Sequence, residues 1–360
     1  MSAETPAARR PRTRQAKSPT SAPEPAPLPA EVETDALPRL PAGWRIIATK
    51  EFADHILSVR FFVLLLVLGL AAAIPLYFAA DQIRSVAPQA SGTRAVFLAL
   101  FWFGSPDISI LTVATFVAIV APLLGLAFAF DAVNGERSEG TLPRLLSQPI
   151  YRDDVINGKF AAGLAVIGLV LVAVVLLISG FGMLRLGIVP HGEEVIRLIA
   201  WVLATFLYVA LWLAFGLLLS VAVRRAATSA LIGFGIWLVF TIFGPLIVTL
   251  VQGFINPGAN ATNDQILGTV QVREFISRLL PSQLYADISN VLLRPDFGLK
   301  NLSTPGTLGQ YQQGQQQIPG INSLDQSLLL VWPQVVVLIA LTVACFAAAY
   351  ALFMRQEVRA

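Results

Sequence analysis

The chain has 360 residues, 56% of them hydrophobic and 13% charged, with a mean hydropathy of +0.70, against roughly 45–50% apolar and 25% charged in a soluble domain. A formal net charge of +3 gives no ground for a nucleic-acid partner, because basicity of that size is informative only through its position along the chain. One cysteine, Cys345, and two histidines, His55 and His191, exclude an internal disulfide and a Cys/His zinc site.

Residues 1–42 hold nine of the 23 prolines and no apolar period, so they are expected to be a disordered, basic, Pro/Ala-rich tail. Its cluster Arg9, Arg10, Arg12, Arg14 and Lys17 is followed by an apolar core only from residue 61, too late for a cleaved signal peptide. Plain solvation is one reading of the cluster and attraction to anionic headgroups the other. Over 43–60, Trp44, Ala48, Phe52, Ile56 and Val59 recur at helical spacing, with Lys50, Glu51, Asp54 and Ser58 opposite. That pattern predicts an amphipathic helix lying in the membrane interface.

Six stretches then meet the length of about 20 apolar residues needed to cross the hydrocarbon core. They fall near 61–80, 108–130, 160–182, 198–223, 228–252 and 328–354. Arg224 and Arg225 separate the fourth from the fifth, since each would cost about 2.5–3.5 kcal/mol at the bilayer centre. With the N-terminus inside, 17 of the 25 Lys and Arg residues lie on the inner side, which predicts that both termini are cytoplasmic. The fold class is therefore all-α, a polytopic membrane protein with six transmembrane helices. The region 253–327 is then extracytoplasmic, with two short helices broken at Pro281 and a Gln-rich loop over 303–320. Asn260 and Asn301 head glycosylation-like triplets too short to carry weight.

The connection 131–159 has five acidic and four basic side chains in 29 residues, far more than a turn between two helices needs. Thr141 can cap a short helix from Leu142 to Ser147, with Pro143 in its first turn and Pro149 beyond its end. Leu142, Leu145 and Leu146 would form its apolar side, and Glu136, Arg137, Glu139, Arg144 and Arg152 a charged rim, the anatomy of a docking surface. Gly135 and Gly140 would permit the bends. The plainer alternative is a solvated loop whose leucines pack on nearby spans.

Glu136-Arg-Ser-Glu-Gly-Thr-Leu142, Leu145-Leu-Ser-Gln-Pro-Ile150, Arg152 and Gly158-Lys159 resemble the cytoplasmic signature of permease subunits of type-2 ABC transporters, in their multi-pass bacterial branch. Residues 47–62 resemble that family's leading amphipathic helix, and 279–295 its segment before the last span. The resemblance implies that 61–360 is a six-span permease domain in a bacterial inner membrane. It implies a second permease copy or paralogue and a separate cytoplasmic ABC ATPase that binds the ATP, with no cofactor on this chain. Glu136, Glu139, Gly140, Thr141, Leu142, Leu145, Leu146 and Arg152 would then be contacts to the ATPase, none of them catalytic, and export would be the expected direction.

Rival classes have less behind them. The chain lacks the G-x-x-x-x-G-K-[ST] string of a self-contained ATPase, and its six apolar stretches lack the ionisable residues on which an ion-coupled transporter relies. An intramembrane hydrolase would need a histidine within a span; Ser179, Ser220 and Ser229 read better as hydroxyls bonding their own helix backbone. A membrane scaffold or assembly factor without transport stays open.

Overall fold

The computed structural model describes residues 43–86, 97–102, 112–143, 147, 150–255, 268–269, 272, 275–276, 278–294 and 323–356. The predicted tail and the Gln-rich loop lie outside them. In chain order the elements are α1 (Gly43–Ile56), α2 (Val59–Val86), α3 (Ala99–Trp102), α4 (Val113–Ala129), α5 (Asn134–Ser138), α6 (Arg152–Phe181), α7 (Gly192–Ala222), α8 (Ala226–Leu238), α9 (Gly244–Ile255), α10 (Pro281–Leu293) and α11 (Leu324–Arg355). Five-residue π-turns follow α6 (Gly182–Leu186) and join α8 to α9 (Val239–Phe243).

Among the described residues, six helices are long and apolar enough to cross a membrane: Val59–Tyr77, Val113–Ser138, Arg152–Leu186, Gly192–Ala222, Ala226–Val251 and Leu324–Arg355. Helices are what such sequences must form, because lipid offers the backbone no hydrogen bonds and a helix satisfies its own. The caps are written locally. The Thr112 hydroxyl accepts from the Thr115 amide at the start of α4, and Ser323 with Gln326 forms a capping box before α11. Gly187, at φ +68°, closes the turn after α6.

α7 is the central post. It packs against α4, α6, α8, α10 and α11, and its Trp201, Tyr208 and Trp212 are buried. Gly125 on α4 lets the two backbones nearly touch, since a Cβ there would lie 2.6 Å from the Val209 carbonyl oxygen and 2.7 Å from the Leu213 amide. Gly69 and Gly235, small residues in other spans, have open space beside them.

The 32 residues of α11 extend about 48 Å at 1.5 Å per residue, beyond the roughly 30 Å hydrocarbon core. Such overhang carries charge at both ends of the bundle. At the end away from the 131–159 connection, buried Arg197 donates to Glu193 Oε1 (2.9 Å) and Ser327 Oγ (2.9 Å). Glu194 there accepts from the Phe97 and His191 amides, each at 2.9 Å.

α10 starts at Pro281, as the sequence indicates, but it does not stay outside the bundle. Tyr285 stacks on Tyr208 at the midpoint of α7 (4.6 Å, 7°) and its hydroxyl pairs with Thr205 at 2.9 Å. The Trp201 indole N–H donates to Ser289 Oγ (3.0 Å) and the Ser282 hydroxyl to the Phe240 carbonyl (2.9 Å). Before Pro281, Val272, Phe275 and Leu279 are exposed.

Candidate partner-docking site

The connection starts where α4 ends, and its first turn is fastened to α7. The amides of Val133 and Asn134 both donate to Ser220 Oγ (2.9 and 3.2 Å), and the Asn134 side-chain amide reaches the Val223 carbonyl at 3.4 Å. Ser220 thus serves a neighbouring helix end, contrary to the expectation that it bonds its own backbone. The hydroxyls of Ser179 and Ser229 are buried without a hydrogen-bond partner among the described residues.

α5 closes in a Schellman motif. The Thr141 amide donates to the Glu136 carbonyl (2.9 Å) and the Gly140 amide to the Arg137 carbonyl (3.3 Å), with Gly140 at φ +71°. That left-handed backbone favours glycine. Gly135, by contrast, is an ordinary helical residue within α5. The Thr141 hydroxyl donates back to the Glu136 carbonyl at 3.2 Å, so it closes α5; the expected role was capping the next helix. A helical turn does begin at Leu142, and the Ser147 amide donates to the Pro143 carbonyl at 3.0 Å.

The predicted contact residues divide into groups. Glu139, Gly140 and Thr141 form an exposed corner, joined by Pro143 and Ser147. Leu142 is 3% exposed, so its side chain is used inside the chain. Leu145 and Leu146, with Arg144 and Pro149, lie outside the described residues. Glu136 and Arg152 are engaged within the protein.

Behind the exposed corner stand two polar nodes. In the first, Lys159 on α6, 6% exposed, donates to Glu136 Oε1 (2.7 Å) and to Glu51 Oε1 on α1 (2.9 Å). Burying an ammonium is costly unless it is paired and hydrogen-bonded, and here two carboxylates flank one cation. In the second, Arg137 donates to Gln356 Oε1, the Gln356 amide donates to the Val221 carbonyl (2.7 Å), and Arg152 Nη2 donates to the Gln356 carbonyl (2.8 Å). The Arg152 guanidinium also lies 5.7 Å from the Phe353 ring centroid. α5 is thereby tied to α6, α7 and the end of α11. Nearby, Arg60 of α2 pairs with Asp131.

α1 lies along α6. Gly158 makes the crossing possible, because a Cβ there would lie 2.8 Å from both the Ile47 side chain and the Trp44 carbonyl oxygen. Glu51, placed on the solvent side by periodicity, turns inward to Lys159. His55 meets Phe128 edge-on at 5.1 Å. Burial pushes the Glu51 carboxyl up, but the Lys159 ammonium and its hydrogen bond, helped by Lys50, hold it below its ordinary value. Burial lowers the His55 imidazole and outweighs the pull of Glu51.

The reading of the sequence missed Glu51, Asn134, Ser220 and Gln356 as parts of this end of the molecule, and it quoted Lys159 only within a motif. One local signal existed for Lys159, the last charge before the long apolar run of α6. Gln356 carried none.

Six apolar spans, with one polar connection laced to its neighbours, define a multi-pass helical membrane protein. The chain belongs to the family described as ABC-2 family transporter protein, which it matches over residues 45–358. It is 29% identical over 164 residues, 43% of this chain and 58% of the relative, to the Probable ABC transporter permease protein NosY of Stutzerimonas stutzeri. It is 30% identical over 165 residues, with the same two shares, to the protein of that name from Pseudomonas aeruginosa. The match thus spans little more than half the length of these curated relatives. Family membership and the six apolar helices agree on a membrane setting.

Proposed function

We propose that this chain is the permease subunit of an ABC exporter, pairing with a second permease copy or paralogue and joined through the 131–159 connection to a separate cytoplasmic ATPase. ATP is bound and hydrolysed on that partner; this chain holds no cofactor and catalyses nothing. The setting is a bacterial inner membrane, with both termini and the connection cytoplasmic and 253–327 on the extracytoplasmic side, from which α10 reaches into the bundle. The observation that carries the reading is the exposed Glu139-Gly140-Thr141 corner, held from behind by buried Lys159 and by Gln356. A merely solvated loop needs no such anchoring, whereas a surface that receives force must not yield to it. Glu139, Gly140 and Thr141 meet the ATPase, together with Leu145 and Leu146. Glu136, Leu142 and Arg152 support the surface from inside. The NosY relatives, named as ABC transporter permeases, favour the same reading. An apolar or amphipathic cargo suits a bundle whose buried span residues are largely apolar, among them Leu68, Val117, Leu171, Val174 and Trp201.

The test is a crosslink. With Cys345→Ala as background, Glu139→Cys should crosslink to an ABC ATPase in native membranes, and replacing Leu145 and Leu146 by Asp should abolish co-purification of that ATPase. A chain that captures no ATPase while its fold is intact is a scaffold.

A further inference from the structure

Docking on the corner moves spans only if the corner is rigidly joined to them. The joints differ in strength. Arg60 is 57% exposed on its side chain, and an exposed ion pair is worth little. Lys159 is buried, and water cannot take over its bonds cheaply. It stands one residue after Gly158, the contact at which α1 and α6 lie too close to slide past each other. α1 and α6 therefore form one body, and Lys159 bonds it directly to α5 through Glu136, where Arg152 reaches α5 only by way of Gln356. Two acids share this cation. Glu136 is the link to the docking turn, and Glu51 holds the ammonium from the other side.

The geometry points to Glu51 as a positioning residue that aims Lys159 at Glu136, making the α1·α6 body and the docking turn a single lever. This rests on the docking reading above. Removing Glu51 leaves Lys159 and Glu136 as a neutral pair, so the fold keeps its charge balance while the ammonium gains freedom.

The experiment uses the full chain, purified in detergent, with Glu51→Met and Glu51→Gln. In Glu51→Met, amide exchange over 135–141 should be about five-fold faster than in wild type, with α7 unchanged. Glu51→Gln, which keeps an acceptor for Lys159, should lie between the two. In complex with the ATPase that co-purifies with the wild-type chain, Glu51→Met should keep the yield of complex. It should cut the effect of the permease on the hydrolysis rate to about one third. Wild-type exchange over 135–141 in Glu51→Met overturns the proposal. Should Glu51→Met lose protection in α7 as well, Glu51→Gln decides, and exchange over 135–141 equal to wild type there overturns it. Failure of the Glu139→Cys crosslink in the Cys345→Ala chain with Glu51 intact would instead sink the docking reading and leave the exchange result to judge the joint by itself.

Discussion

At Gly140 the backbone stands at φ +71° with open space around it, so a side chain there is opposed by conformation alone. Gly140→Ala should cost ~1 kcal/mol, detectable as faster exchange of the Thr141 amide. At Gly125 the backbone is ordinary and the space is missing. Gly125→Val should force α4 away from α7 and lower stability by about 1–3 kcal/mol, measurable by thermal denaturation in detergent. Lys159→Met strands two carboxylates in a buried site and should cost about 3–5 kcal/mol. pH acts on the same place. The lowered His55 loses its contribution as pH falls below its ordinary 6.5, and the lowered Glu51 does so below about 4.5. For both, the unfolded chain binds more protons in the window, so stability rises with pH. α1 should therefore loosen on acidification in two steps, the first removed by His55→Phe; tryptophan fluorescence of Trp44 would follow it.

Among elements, the lacing around α5 depends on residues distant in sequence. Ending the chain after Arg355 removes Gln356 while leaving α11 whole, and should speed exchange over 135–141 several-fold. Helices α2, α4, α6, α7 and α11 were legible because an apolar run of sufficient length has one stable backbone solution in lipid. Pro281 marked the start of α10 correctly, since proline suits a first helical turn. Its burial was not legible, because Tyr285, Ser282 and Ser289 give a short helix of the outer region polar side chains whose partners are not local. Their partners Thr205, Tyr208, Phe240 and Trp201 come from other elements. Glu51 was misplaced for the same reason, as periodicity sees one helix and not the lysine across the groove.

For the whole molecule, orientation is the proposal on which the docking assignment hangs. In intact cells, a Cys345→Ala chain carrying Glu139→Cys should resist a membrane-impermeant maleimide and react once the membrane is opened. Labelling from outside would invert every assignment of sides made above. The corner of the proposed docking surface was readable in part. Glu139, Gly140 and Thr141 are exposed because glycine and short polar residues end a helix, a local rule. The reversal of Glu136, Leu142 and Arg152 toward the interior follows from Lys159, Gln356 and the packing of neighbours, which no local rule contains.

The π-turn Val239–Phe243 means that the fifth span holds one residue more than a regular helix of its height would. Dropping a single residue there should let the backbone wind down to α geometry while Trp237 still reaches the Ile119 carbonyl and Gly244 still faces Leu280. The same shortening three turns earlier would rotate everything beyond it by about 100°. This span should thus tolerate a lost codon at one place only, and that place is where α10 leans on it.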